Sequence, residues 1–410
     1  MSVPESIIDH PNMKPVPPPK NNLSYSSHAH YYSFFQNQVV FLTGATGGLG
    51  GCILYKLALK LQTKKIYCLC RSKAKAYRTW ADTMPGQHKA IFDTEKVILL
   101  EGDITRPNFG IDLSEIMDTT IVINAAADIS FNQTVDEAIT KNCNPPLEMA
   151  KMASQLPQLK CLIQVSTAYC NSHLPDGLVE EKVYPMGDPE EEIKTKANAH
   201  KFPWSYAYSK YLMEQLLLSR FPTLPTLIVR PSIIGTAIHQ PYPLYGPIGS
   251  TPLESFFKFF SLSPGNRVFH AAEGSESGTN IFDEVPVDWV ANLILLHAAS
   301  GTRGIVHAGS ESYIPRTLDD MVRVAQINNV DMEVRFVTDR NIPQCPLATF
   351  YKVTTRDWRF SNKLSAHLRQ VEGPLSISVK GHDLFEFDSQ RVNKLNAVID
   401  SYRRKTMAKL

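Results

Sequence analysis

The run VVFLTG at 39–44 passes without a break into ATGGLG, so that Gly44, Gly47 and Gly50 recur at every third residue where an apolar strand gives way to a helix. A turn of this kind lets the backbone approach a pyrophosphate, whose charge is met by amides and by the dipole at the helix N-terminus. Thr46, Gly48 and Leu49 belong to the same turn and count with the three glycines as its binding residues. The chain beyond keeps the rhythm. KIYCLC, KVILLEGDI, TTIVINAAA, CLIQVSTAY and TLIVRPSIIG read as short buried strands, and GGCILYKLALKL, DEAITKNCNPPLEMAKMAS and PWSYAYSKYLMEQLL read as the helices between them. Apolar strands alternating with helices imply a parallel sheet covered on both faces, so the expected class is α/β, a Rossmann-type doubly wound sheet.

A dinucleotide site on such a sheet draws on the ends of the following strands. About twenty residues after the glycines an NAD site carries an acidic residue for the ribose hydroxyls. This chain has Arg71 there, followed by Lys73, Lys75 and Arg78. A guanidinium pairs with an added 2′-phosphate, so NADPH is the expected coenzyme and reduction the expected direction. A solvated basic turn is the competing reading, and it suits Lys75 or Arg78 better than Arg71. Asp103, at the end of LEGDI with Ile104 beside it, is placed to meet the adenine or simply to cap a helix.

The helix at 203–217 has an amphipathic pattern and carries Tyr206 and Lys210 one turn apart, on one face, with Tyr208 pointing elsewhere. A cation beside a phenol favours the ionised form, so the expectation is a lowered tyrosine pKa and a proton donor usable near neutrality. The spacing alone is weak, because sixteen tyrosines produce it by chance. VSTAY, however, ends a strand on the ligand side of a parallel sheet, which puts Ser166 and Thr167 where a hydroxyl can hydrogen-bond a carbonyl oxygen gaining charge.

The remaining readings set limits. A formal charge of +2 gives no reason to expect nucleic acid, and no apolar run reaches the roughly 20 residues of a membrane span. Seven scattered cysteines read as buried thiols of a reducing compartment, with no metal-ligand spacing. Residues 1–36, with PNMKPVPPPK at their centre, read as a flexible arm. Residues 37–310 form the nucleotide-binding domain, with a loop-rich insertion near 236–280 in which Phe256, Phe257, Phe259 and Phe260 line an acyl channel or a core helix. Residues 311–410 form a small cap. The chain finishes in Ala408-Lys409-Leu410, close to the Ser-Lys-Leu address read by the peroxisomal import receptor, so the peroxisome is the expected location and the cytoplasm the alternative.

The glycine turn, the NAAAD segment at 124–128, the Thr167 strand and the Tyr206/Lys210 helix together resemble extended short-chain dehydrogenases/reductases. More narrowly, VSTAYCN, EEKVYP, IVRPSIIG and FEFDSQRV resemble fatty acyl-CoA reductases and the thioester reductase domains that end some peptide and polyketide synthetases. The resemblance implies NADPH binding, with Ala125 and Ala126 added to the nucleotide contacts. It also implies a catalytic triad of Thr167, Tyr206 and Lys210, with Ser166 as second choice for the hydroxyl and Lys210 also holding the nicotinamide ribose. It implies reduction of an acyl thioester, on CoA or on a carrier protein, to an aldehyde or onward to a primary alcohol. A dehydrogenase or epimerase acting on another carbonyl substrate stays open, as does an NADPH sensor without turnover. Two departures are visible: the glycine- and tryptophan-containing loop of acyl-CoA reductases is missing after Gly235, and the C-terminal part is short, so that FEFDSQRV reads as a remnant.

Overall fold

The computed structural model describes residues 29–130, 132–246, 267–327, 333–346 and 356–407, together with 251, 254 and 348. Seven strands make one sheet: β1 (Val39–Thr43), β2 (Lys65–Cys70), β3 (Val97–Glu101), β4 (Ile121–Asn124), β5 (Cys161–Val165), β6 (Thr226–Pro231) and β7 (Gly304–Ala308). Their order is 3-2-1-4-5-6-7 and every neighbouring pair is parallel. Parallel neighbours need crossovers, and these cover both faces. Val40, Leu42, Ile66, Ile121 and Ile163 share one core with the helices Gly48–Tyr55 and Val287–Ala299. Phe41, Tyr67, Val122, Leu162 and Ile228 point the other way, into a second core with Asn144–Ala153 and Ser205–Arg220. The doubly wound α/β class is therefore what forms, and its strand order reverses between β1 and β4, which opens the crevice where such sheets bind ligands.

Three expectations change. The arm ends before residue 36, because Ala29–Gln36 is a helix. Its Tyr31 and Phe35, four residues apart on one face, are buried in the first core and pin the helix there. Residues 236–246, the start of the loop-rich insertion, are tied down. Asp288 accepts the backbone N–H groups of Ile238, His239 and Gln240, and the Tyr242 hydroxyl donates to the Thr83 carbonyl at 2.6 Å. Lys56, in the π-turn Lys56–Lys60 that continues the helix Gly48–Tyr55, is buried and donates to Gln240 Oε1 at 2.8 Å. Phe256, Phe257, Phe259 and Phe260 lie outside the described residues, as does Ala408-Lys409-Leu410.

Beyond residue 311 the chain shares the main core, to which Leu368, Val371, Leu375, Ile377 and Phe387 belong. A strand at Trp358–Phe360 pairs in parallel with Gly177–Val179. FEFDSQRV is no remnant: it opens the helix Leu384–Met407 and supplies two buried charged anchors of that helix, Asp388 and Arg391. Arg391 grips Glu284 through Nη1–Oε2 at 3.0 Å and Nη2–Oε1 at 2.7 Å, and Asp388 accepts from Arg316 at 2.9 Å. All four side chains are buried. Charges removed from water persist only when paired, so these residues register the helix on the sheet.

Candidate active site

The glycine turn is as tight as its spacing implies. Gly44 has φ +73°, and a Cβ added there would lie 2.7 Å from the backbone of Ala125 and Ala126 at the end of β4. A Cβ on Gly50 would lie 2.1 Å from the Gly44 carbonyl oxygen. Gly47 precedes the helix with extended backbone and no side-chain cap, so the first-turn amides are left for another acceptor. Thr46 and Gly47 are exposed, Gly48 and Leu49 partly so, with Leu49 packed on the core. Each excluded side chain would strike backbone, of Ala125 and Ala126 or of Gly44, so glycine at these positions lets the turn close against the end of β4 while its first-turn amides stay free for an acceptor such as a pyrophosphate.

Arg71, exposed at the end of β2, stands close enough to Asp103 at the end of β3 to stabilise its carboxylate. That carboxyl is held below the usual range first by the Thr105 N–H and hydroxyl, which donate to Oδ1 at 2.9 and 2.8 Å, and then by Arg71 and Arg106. Asp103 thus closes a turn through Thr105 instead of capping a helix, at the carboxyl end of the sheet beside the half-buried Ile104. Ser72 caps the next helix through the Lys75 N–H, which sends Lys73, Lys75 and Arg78 out into solvent.

At the end of β5 the buried Thr167 accepts the Tyr169 N–H at 3.3 Å and lies 3.5 Å from the Pro231 carbonyl, a long contact that leaves its proton weakly engaged. The Ser166 hydroxyl is buried with no hydrogen-bond partner among the described residues. Helix Ser205–Arg220 lays Lys210 across this strand end, where its Nζ donates to the Val165 carbonyl at 3.1 Å. Tyr206 stands half-buried one turn earlier on the same helix. Tyr208 points away, as its position implies, and donates to Glu192 Oε1 at 2.7 Å.

The electrostatics overturn one expectation. Burial, with the Cys170 thiol adding to it, pushes the Tyr206 phenol well above its ordinary value instead of below it. Desolvation of the phenolate decides the direction, and the Lys210 ammonium is directed instead at the Val165 carbonyl oxygen and is itself pulled down to about 8 by burial. Tyr206 is therefore a neutral acid with its proton in place.

Sequence reasoning missed the structure behind Lys210. Thr43 Oγ1 donates to Asn124 Oδ1 at 2.6 Å, Asn124 Nδ2 to Gln164 Oε1 at 2.9 Å, and Gln164 Nε2 to the Val165 carbonyl at 2.7 Å. This chain of amides crosses the carboxyl ends of β1, β4 and β5 and ends on the oxygen that receives Lys210. The signal was present as a polar residue near the end of each apolar strand, in VVFLT, IVIN and CLIQV. A small cavity lies beside the Thr167 turn, bordered by Tyr169, Ile233, Phe282, Asp283, Trp358 and Phe360. The Tyr169 ring packs edge-on against Trp204, Trp358 and Phe360.

Comparison with known proteins agrees with this geometry. The NAD-binding family model described as "Male sterility protein" matches residues 42–294. Fatty acyl-CoA reductase 2 of Homo sapiens is 27% identical over 64% of this chain and 55% of its own length. Fatty acyl-CoA reductase 1 of Xenopus laevis is 30% identical over 65% of this chain and likewise 55% of its own. The chain thus spans little more than half the length of these relatives. Among solved structures, the reductase domain of a non-ribosomal peptide synthetase from Mycobacterium tuberculosis superposes with a TM-score of 0.58 at 17% identity, over 91% of this chain and 96% of that one, which places the fold.

Proposed function

The chain belongs to the male sterility protein family of NAD-binding reductases, and from that premise we propose that it reduces an acyl thioester to an aldehyde at the expense of NADPH. The observation that carries this reading is the convergence at the end of β5. Thr167 and Ser166 lie there, Lys210 reaches the Val165 carbonyl and Tyr206 sits one helical turn before Lys210, on the same edge of the sheet as a glycine turn that rejects side chains. The same edge would hold the coenzyme. Gly44, Thr46, Gly47, Gly48, Leu49 and Gly50 would take the pyrophosphate, Arg71 the 2′-phosphate, Asp103 and Ile104 the adenine, Ala125 and Ala126 the nucleotide's inner side, and Lys210 the nicotinamide ribose. When bound, such a coenzyme supplies a hydride.

The protein's own residues do the rest. Thr167 and Tyr206 hydrogen-bond the thioester oxygen as it gains negative charge, in a site dry enough to strengthen each bond. Tyr206 then gives its proton to that oxygen, a role suited to a phenol kept neutral by burial. In the resulting hemithioacetal the carbon–sulfur bond breaks, the sulfur leaves with the bonding pair and takes up the hydroxyl proton, and thiol and aldehyde are released. The Tyr169, Trp358 and Phe360 rings offer an apolar wall beside Thr167 for the acyl portion.

Supplying a panel of acyl-CoAs and measuring NADPH consumed against thiol released tests the reading. One NADPH per thiol identifies the aldehyde as product, and two identify the alcohol. No thiol release from any acyl-CoA, with turnover only of a pantetheine-carrier thioester, would move the substrate to carrier proteins. For the coenzyme, Arg71→Ala is expected to raise the KM for NADPH about 10- to 100-fold, the worth of one charge-assisted contact, while the KM for NADH stays put. Equal effects on both coenzymes would remove Arg71 from the 2′-phosphate site.

A further inference from the structure

One turn beyond Lys210 the same helix carries Glu214, and its carboxylate and the guanidinium of Arg230 on β6 are each only 1% exposed. Arg230 Nε donates to both carboxylate oxygens, at 3.0 and 3.1 Å, and Nη2 adds a third bond. Its Nη1 reaches the Lys182 carbonyl at 2.9 Å. From the opposite side, Cys170, in the turn that Thr167 caps, donates its thiol to Glu214 Oε1 at 3.5 Å. Glu214 thus joins three segments: the helix bearing Tyr206 and Lys210, the turn bearing Thr167, and β6. The hydride-transfer reading assigns this knot no task.

We infer that Glu214 is a positioning residue of the active site: held by Arg230 and Cys170, it fixes the Tyr206/Lys210 helix against the Thr167 turn and supplies the negative charge that keeps the Lys210 ammonium charged. The inference rests on the proposed role of Lys210. Lys210 is faced by Glu214 on its own helix, by Cys143 at the end of Val135–Asn142, and by Cys170 in the Thr167 turn. Of these, Glu214 is the strongest influence opposing the desolvation that brings Lys210 down to about 8. Glu214 in turn is faced by Arg230, Cys170 and, on its own helix, Tyr211, and Arg230 by Cys170, Tyr184, Glu181, His173 and His307. A buried ion pair does little for net stability, so its energetic reason lies elsewhere, and a fixed carboxylate one helical turn from a buried ammonium provides one.

The test is the ionisation of Lys210 itself, followed by NMR of protein carrying 13Cε-labelled lysine, with the Lys210 signal identified by its loss in Lys210→Met. In Glu214→Gln the midpoint is expected to fall by about one pH unit or more. That variant leaves a buried guanidinium without its counter-ion, so Glu214→Gln combined with Arg230→Met, which removes both charges and keeps the volume, carries the measurement if the single variant does not fold. Its midpoint is expected to fall in the same direction by less, since Arg230 had opposed Glu214. Where turnover is measured, the alkaline limb of the pH–rate profile moves down with the midpoint. A purely structural Glu214 would lower the melting temperature and the rate at every pH with the Lys210 midpoint unmoved, and that result overturns the inference. The NMR readout needs no substrate, so failure of the thioester reading leaves it standing.

Discussion

Tyr206→Phe is expected to lower kcat about 10²- to 10⁴-fold, the usual contribution of a positioned general acid, while coenzyme affinity changes little. Tyr206 sits one helical turn before Lys210, which reaches the end of β5, and donates the proton of the proposed scheme, whereas the proposed nucleotide site is the glycine turn with Arg71. Burial also fixes the sign of the pH dependence. A phenol raised far above its ordinary value stays protonated across the physiological range, so Tyr206 imposes no limb near neutrality. Lys210, lowered to about 8, does: it is charged below that pH and loses its proton above it, so kcat is expected to fall as pH rises through about 8. Steady-state rates of wild type and Tyr206→Phe across pH 6–9.5, beside NADPH binding by fluorescence, check both statements. A Tyr206→Phe enzyme with near-normal kcat would remove the proton donor from the mechanism.

The second large effect is on stability. Arg391→Ala is expected to cost about 3–5 kcal/mol, because it leaves Glu284 buried without its counter-ion. Glu284 cannot turn away to water: it lies against Gly235, where an added Cβ would come within 2.5 Å of Oε1. Replacing both partners with apolar residues of similar volume, Arg391→Met with Glu284→Leu, is expected to recover most of that loss. Urea unfolding of the three proteins tells the outcomes apart. If Arg391→Ala were as stable as wild type, the helix Leu384–Met407 would not be anchored by this pair, and FEFDSQRV would be dispensable after all.

The parts of this molecule legible in its sequence are those governed by neighbours in the chain. Three glycines between a strand and a helix dictate a turn that the coordinates reproduce to the point of steric exclusion, and short apolar strands announce a parallel sheet. Tyr206 and Lys210 share a helix face because four residues make about one turn. What escaped depends on distance in sequence or on solvent. Arg391 and Glu284 are 107 residues apart, and neither hints at the other. The helix Ala29–Gln36 follows a proline-rich stretch, and only its packing beneath Val287–Ala299 shows why Tyr31 and Phe35 hold it in place. The direction of the Tyr206 shift was misread for the second reason: spacing reveals a nearby cation but not the loss of water, and here the loss of water wins. Helix Ser205–Arg220, amphipathic in pattern, is buried from Ala207 through Glu214, since its polar residues Lys210 and Glu214 face interior partners.

The most direct test of the central claim follows a labelled hydride. With NADPH dideuterated at the nicotinamide C4, a long-chain acyl-CoA and the wild-type protein, the product aldehyde is expected to carry deuterium at its carbonyl carbon, with one thiol released for each label transferred and the rate of transfer in Tyr206→Phe lowered about 10²- to 10⁴-fold. Tight NADPH binding with no label in any product and no thiol released, across both CoA and carrier-bound thioesters, would contradict thioester reduction and leave a nucleotide-binding fold whose substrate is another carbonyl.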